Sequence, residues 1–78
     1  MSTEEVLIRV MKEVMRAEEI HPNWPTDLVR ASMVVAEESG ELIQSVNDYE
    51  EQKSGKERII TEAIHTAATA LRFLKNIN

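Results

Sequence analysis

Only two prolines and two glycines interrupt the chain, and three of these four breakers fall in two short stretches, Pro22 to Pro25 and Gly55. Between such breaks a backbone is free to form long helices, provided apolar residues recur at helical intervals. Here they do, and three helices separated by two breaks is the economical reading. Ser2 and Glu5 have capping-box spacing, and Leu7, Val10, Met11, Val14 and Ala17 then mark one helix face. Val6, Ile8 and Met15 widen that stripe, which predicts contact on more than one side. Asn23 or Thr26 is the expected cap of the second helix, with the prolines in its first turn. Its apolar face runs through Leu28, Ala31, Val35, Ser39, Leu42, Val46 and Tyr49, to about residue 52. Ser54 and Glu57 form a second candidate capping box, followed by a buried stripe of Ile60, Ala63, Ile64, Ala67, Leu71 and Leu74. Strand-like alternation is absent, so residues 1–78 read as one all-α domain.

A core built from 78 residues is thin unless staples or partners add to it. No cysteine is present, which removes disulfides and thiolate zinc sites. Self-association is therefore expected, as a dimer or a tetramer. The small residues Ala63, Ala67, Ala68 and Ala70 let helix axes approach closely, as in a four-helix-type bundle made from two long helices of each of two chains. Fourteen acidic against nine basic side chains give a formal charge of −5, which opposes binding of an extended nucleic acid but permits a small anion carried by a metal ion. No apolar run approaches the ~20 residues of a membrane span, and the Met-Ser-Thr-Glu-Glu start lacks a basic, then apolar leader. A cytoplasmic protein without a membrane partner is expected.

The second helix carries Glu37, Glu38 and Glu41 within about one turn. Like charges at i+3 and i+4 spacing repel by a few tenths of a kcal/mol per pair, so the cluster is either well solvated or compensated. A hard divalent cation compensates it well, because Mg²⁺ and Mn²⁺ favour oxygen ligands and bridge to phosphates. On the third helix Glu62 and His65 stand at i and i+3, and Thr69, Arg72 and Asn76 continue a polar stripe away from the alanine side. Two antiparallel helices would thus aim five potential ligands at one another. Arg72 is placed either to hold a phosphate oxygen or as an ordinary surface arginine. Trp24, the only tryptophan, either stacks on a base or seals the end of the bundle. Lys12, Arg16, Lys53 and Lys56 are further phosphate candidates, and Asp48 either extends the acidic face or has no role.

With Glu37, Glu38 and Glu41 followed by Leu42, on a long helix after an aromatic-containing loop, the chain resembles the MazG-like all-α nucleoside triphosphate pyrophosphohydrolases. That group includes dimeric dUTPases, dCTP pyrophosphatases and phosphoribosyl-ATP pyrophosphohydrolases. The resemblance covers roughly residues 20–76 and rests on the family's Glu-Glu-x-x-Glu motif. The family's second motif, Glu-x-x-Asp, falls on Glu62-Ala-Ile-His65, where histidine replaces the aspartate. The resemblance implies Mg²⁺, or Mn²⁺, held by Glu38, Glu41 and Glu62, with His65 as the departing member and Glu37 as a further ligand or water-orienting base. It further implies catalysis through Glu37 and Glu38, and cleavage of a nucleotide to its monophosphate and pyrophosphate. Trp24, Arg72, Lys53 and Lys56 would contact the substrate. The histidine implies altered metal preference, weak activity, or a nucleotide-binding relative without turnover.

Two other readings use the same residues. One is a non-catalytic helical module that presents its acidic face or long helix to another protein. The other is a carboxylate-bridged di-metal bundle, whose inventory of one Glu from each of two helices and Glu-x-x-His from two others a homodimer would contain in Glu38 or Glu41, Glu62 and His65.

Overall fold

A computed structural model describes residues 1–77 and contains three helices and no strands among them: α1 (Thr3–Ile20), α2 (Leu28–Glu50) and α3 (Lys56–Asn76). None is long and apolar enough to cross a membrane. α3 is the central element. It packs against both α1 and α2, whereas α1 and α2 do not pack against each other. The cross-helix pairs set the directions. Glu13 faces His65 and Glu18 faces Lys75, so α1 runs parallel to α3. Asp48 pairs with Arg58 and Glu38 faces His65, so α2 runs antiparallel to it.

α1 starts as its capping box requires: the Ser2 hydroxyl accepts from Glu5 N–H at 3.1 Å and the Glu5 carboxylate accepts from Ser2 N–H at 3.2 Å. α2 starts later than expected. Asp27, not Asn23 or Thr26, is its cap, accepting from Val29 N–H at 3.1 Å, which leaves both prolines in the preceding loop. An aspartate at this position adds a negative charge beside the helix N-terminus, which favours it over threonine.

α2 ends at Glu50 in a Schellman turn. Gln52 N–H donates to Tyr49 O at 3.0 Å and Lys53 N–H donates to Asp48 O at 2.8 Å, with Gln52 in the left-handed region at φ 60°. This turn moves the next start by one residue. Gly55 becomes the cap of α3, Glu57 falls at the second helical position, and the Ser54 hydroxyl has no partner, so the expected second capping box does not form. The space beside Gly55 is taken by Glu57, whose Oε2 would lie 2.6 Å from a Cβ placed there.

The core is small. Val10 and Val14 of α1 close on Ala68, with Ile64 packed alongside, and Ala31 of α2 is also buried. Ser45 is fully buried as well, its hydroxyl satisfied by Leu42 O at 2.6 Å. The expected α3 stripe is turned: Ala63, Ala67, Leu71 and Leu74 remain exposed, while Ala68 and Arg72 are the buried positions. The cause is the central place of α3, because a helix flanked on two sides buries the face between its neighbours, and here that face is partly polar. Likewise α1 is contacted on one side only, leaving Leu7, Ile8, Met11 and Met15 exposed.

Candidate metal centre

Because α1 and α2 lean on α3 without meeting, a cleft of about 560 Å³ opens between them, with α3 as its floor. Glu13 and Arg16 come from α1, Glu38 and Glu41 from α2, and Glu62, His65 and Arg72 from α3. The α1–α2 loop closes one end with His21 and Trp24.

At its centre, one ligand atom each from Glu38, Glu62 and His65 lie within 4.8 Å of one another. His65 Nδ1 is 3.9 Å from Glu38 Oε2 and 3.9 Å from Glu62 Oε2, and its other nitrogen, Nε2, is 3.5 Å from Glu13 Oε2. Glu38 Oε2 and Glu62 Oε2 are shut off from solvent and neither accepts a hydrogen bond. A buried carboxylate oxygen without a donor costs more than one left in water, so this pair carries an unmet demand for positive charge. Burial is the main reason the Glu38 carboxyl is pushed above the usual carboxylate range, with the charges of Glu41 and Glu62 adding to it and His65 opposing.

Glu13 behaves in the opposite way. Arg16 donates to it twice, through Nε at 2.8 Å and Nη2 at 2.6 Å, and this grip holds its carboxyl below the usual range. Arg16 is thereby committed to a carboxylate at the cleft wall.

Arg72 is not a surface arginine. Only 6% exposed, it donates from Nη2 to His21 O at 2.6 Å and lies over the Trp24 ring, 5.0 Å from the centroid, while its Nε has no acceptor. The cleft therefore holds unmet demand of both signs: carboxylate oxygens lacking a cation or donor, and a guanidinium N–H lacking an acceptor. Trp24 is half-buried beneath that guanidinium, at the end of the helices.

The separations suit a shared ion. Ligand atoms about 2.1 Å from one ion stand about 3.0–3.4 Å apart, which small side-chain rotations reach from 3.9 Å. Of the five expected ligands, three meet here. Glu41 lines the same cleft from an exposed position, whereas Glu37 is exposed and outside the lining. Lys53 and Lys56 are also outside it: Lys53 pairs with Glu51 at 3.2 Å and Lys56 lies over the Tyr49 ring at 5.7 Å. Asp48 clamps α2 to the start of α3 by accepting from Arg58, and it also accepts, at 2.8 Å, from Gln44 on its own helix. Lys12 borders, with Arg9, a neighbouring groove that shares Glu13, Arg16 and His65 with the cleft.

Glu13 was not among the expected site residues. Its one sequence signal is the i, i+3 spacing to Arg16 beside the Val10–Val14–Ala17 stripe, which places a paired carboxylate at the edge of the buried face. No family model, curated protein or solved structure matches the chain.

Proposed function

We propose that the chain is a divalent-cation-dependent nucleotide pyrophosphohydrolase of the MazG-like kind, converting an NTP or dNTP to its monophosphate and pyrophosphate. The observation that carries this reading is the pair of occluded, donor-free oxygens of Glu38 and Glu62, on facing helices and both 3.9 Å from His65 Nδ1. Glu38, Glu62 and His65 would hold the cation, Mg²⁺ or Mn²⁺, with Glu41 at the cleft edge. When bound, such an ion lowers the pKa of a coordinated water and neutralises charge on the phosphates. The chain supplies the rest. Arg72, anchored by the His21 carbonyl and Trp24, carries an occluded Nε with no acceptor, and a small rotation of the guanidinium would turn that N–H to a phosphate oxygen. Half-buried Trp24 leaves its remaining edge to a base at the same end of the cleft. The cleft volume of about 560 Å³ is of the size that holds a nucleotide-sized ligand.

The same reading includes assembly with a second copy. The accessible surface is 5783 Å², about 1,000 Å² more than expected for a compact monomer of 8.9 kDa. Much of it is apolar, and Ala63 and Ala67 lie in an open groove between α1 and α3 that a partner helix could enter closely.

Pyrophosphate release across a panel of NTPs and dNTPs, with Mg²⁺ or Mn²⁺, tests the activity. At least one nucleotide should turn over, and Glu62→Gln should lower that rate by about 100-fold or more. A chain that binds cation yet hydrolyses none of the panel sinks the enzyme reading and leaves the cation site intact.

A further inference from the structure

We infer that His65 ligates the cation through Nδ1 and that Glu13, held by Arg16, orients it from behind, which tunes the site for first-row transition ions such as Mn²⁺, Co²⁺ or Zn²⁺ over Mg²⁺. This rests on the cation reading of the Glu38–Glu62 pair.

The two edges of the imidazole meet different surroundings. Nδ1 faces the occluded oxygens of Glu38 and Glu62, while Nε2 faces Glu13, whose carboxylate is already fixed by two hydrogen bonds from Arg16. A carboxylate at Nε2 favours the tautomer with its proton there and leaves the Nδ1 lone pair directed at the carboxylate pair. Metal-binding histidines commonly have such a partner on the nitrogen away from the ion. The row Arg16, Glu13, His65 therefore draws on two helices to set one lone pair, α1 supplying the orientation and α3 the ligand.

Arg72 points to a ligand in this cleft independently of the carboxylates: it is 6% exposed, lines the same space, and has an Nε without acceptor. A guanidinium with an unmet N–H at the loop end of the cleft that holds two orphaned carboxylate oxygens is the pattern of a cation with an anion extending from it. The choice of cation follows from the donor set. Mg²⁺ is a hard ion that favours oxygen and loses water reluctantly, whereas imidazole favours the later first-row ions and affinity rises along that row toward copper.

The direct test is nitrogen NMR of the wild-type chain titrated with Zn²⁺. The His65 Nδ1 resonance should move strongly, with the Nε2 proton retained; a Zn²⁺-saturated chain with an unmoved Nδ1 overturns the proposal. Calorimetric titration with Mg²⁺, Mn²⁺, Co²⁺ and Zn²⁺ provides the second arm. His65→Asp should lower the Co²⁺-to-Mg²⁺ affinity ratio by about ten-fold or more, and Glu13→Gln should weaken Co²⁺ binding by about ten-fold with Mg²⁺ unchanged. Were His65 only a protonated counter-ion to the surrounding carboxylates, that ratio would be the same in wild type and His65→Asp, which rejects the inference while the cation site stands. A wild-type chain that binds none of the four ions rejects both.

Discussion

Three carboxylates surround one imidazole in this cleft, and they are not equivalent. Glu13 is satisfied by Arg16, Glu38 is half-buried against like charges, and Glu62 has an oxygen with no donor. Without a cation Glu38 destabilises the fold when ionised. Its carboxyl is raised above the ordinary value, so its contribution to stability is full below the unfolded-state pKa, about 4.3, and is lost as pH rises through the folded-state value. Metal-free Glu38→Gln should therefore be more stable than wild type at neutral pH, by a few tenths of a kcal/mol for each like-charged neighbour relieved. The gain should vanish in acid. Chemical denaturation across pH, in the presence of chelator, measures it, and a destabilised variant at neutral pH contradicts the account. Much of this site is legible in the sequence because Glu38, Glu41, Glu62 and His65 are related by local helical spacing. Glu13 and the burial of Arg72 are not, because they depend on α1 and on the 21–27 loop meeting α3 about fifty residues later, a tertiary matter that no local pattern encodes.

At the scale of the helices, the three elements follow from the periodicity while their ends follow from turn chemistry. The Ser2–Glu5 box forms as its spacing predicts, but the same spacing at Ser54–Glu57 is overruled by the Schellman turn at the end of α2. That turn was not legible because its left-handed position holds Gln52 where a glycine would announce it. Three substitutions separate these cases. Ser2→Ala should cost about 1 kcal/mol through loss of the cap. Ser54→Ala should be neutral or stabilising by up to about 1 kcal/mol, since the hydroxyl is shut off from solvent with no partner. Gln52→Gly should stabilise the chain by about 1 kcal/mol by relieving a left-handed non-glycine residue. Thermal or urea unfolding reads all three, and equal losses from Ser2→Ala and Ser54→Ala would contradict the observed α3 start.

As a whole the molecule is open. Its radius of gyration is 13.3 Å, against about 11.5 Å for a compact chain of this length, and its extents are 41 × 27 × 20 Å. The apolar stripes explain why the sequence shows which residues are core-like but not which are buried within one chain: Leu7, Met11, Leu71 and Leu74 keep helical spacing yet stay exposed. A stripe intended for a partner looks the same as one intended for the interior. Self-association should accordingly be visible by light scattering, and Met11→Asp with Leu71→Asp should shift the chain toward monomer. A wild-type chain that stays monomeric at high concentration contradicts this. The opening between α1 and α2 is also what exposes the carboxylate cleft, so shape and site have one origin. The central claim is that Glu38 and Glu62, from facing helices, share a cation, and thermal unfolding with and without Mn²⁺ tests it most directly. At about 100 times the dissociation constant, Mn²⁺ should add about 2.7 kcal/mol and raise the Tm of wild type by about 10 °C or more, and the Glu38→Gln/Glu62→Gln double variant should show no rise. An equal rise in both proteins, or none in wild type, contradicts the claim.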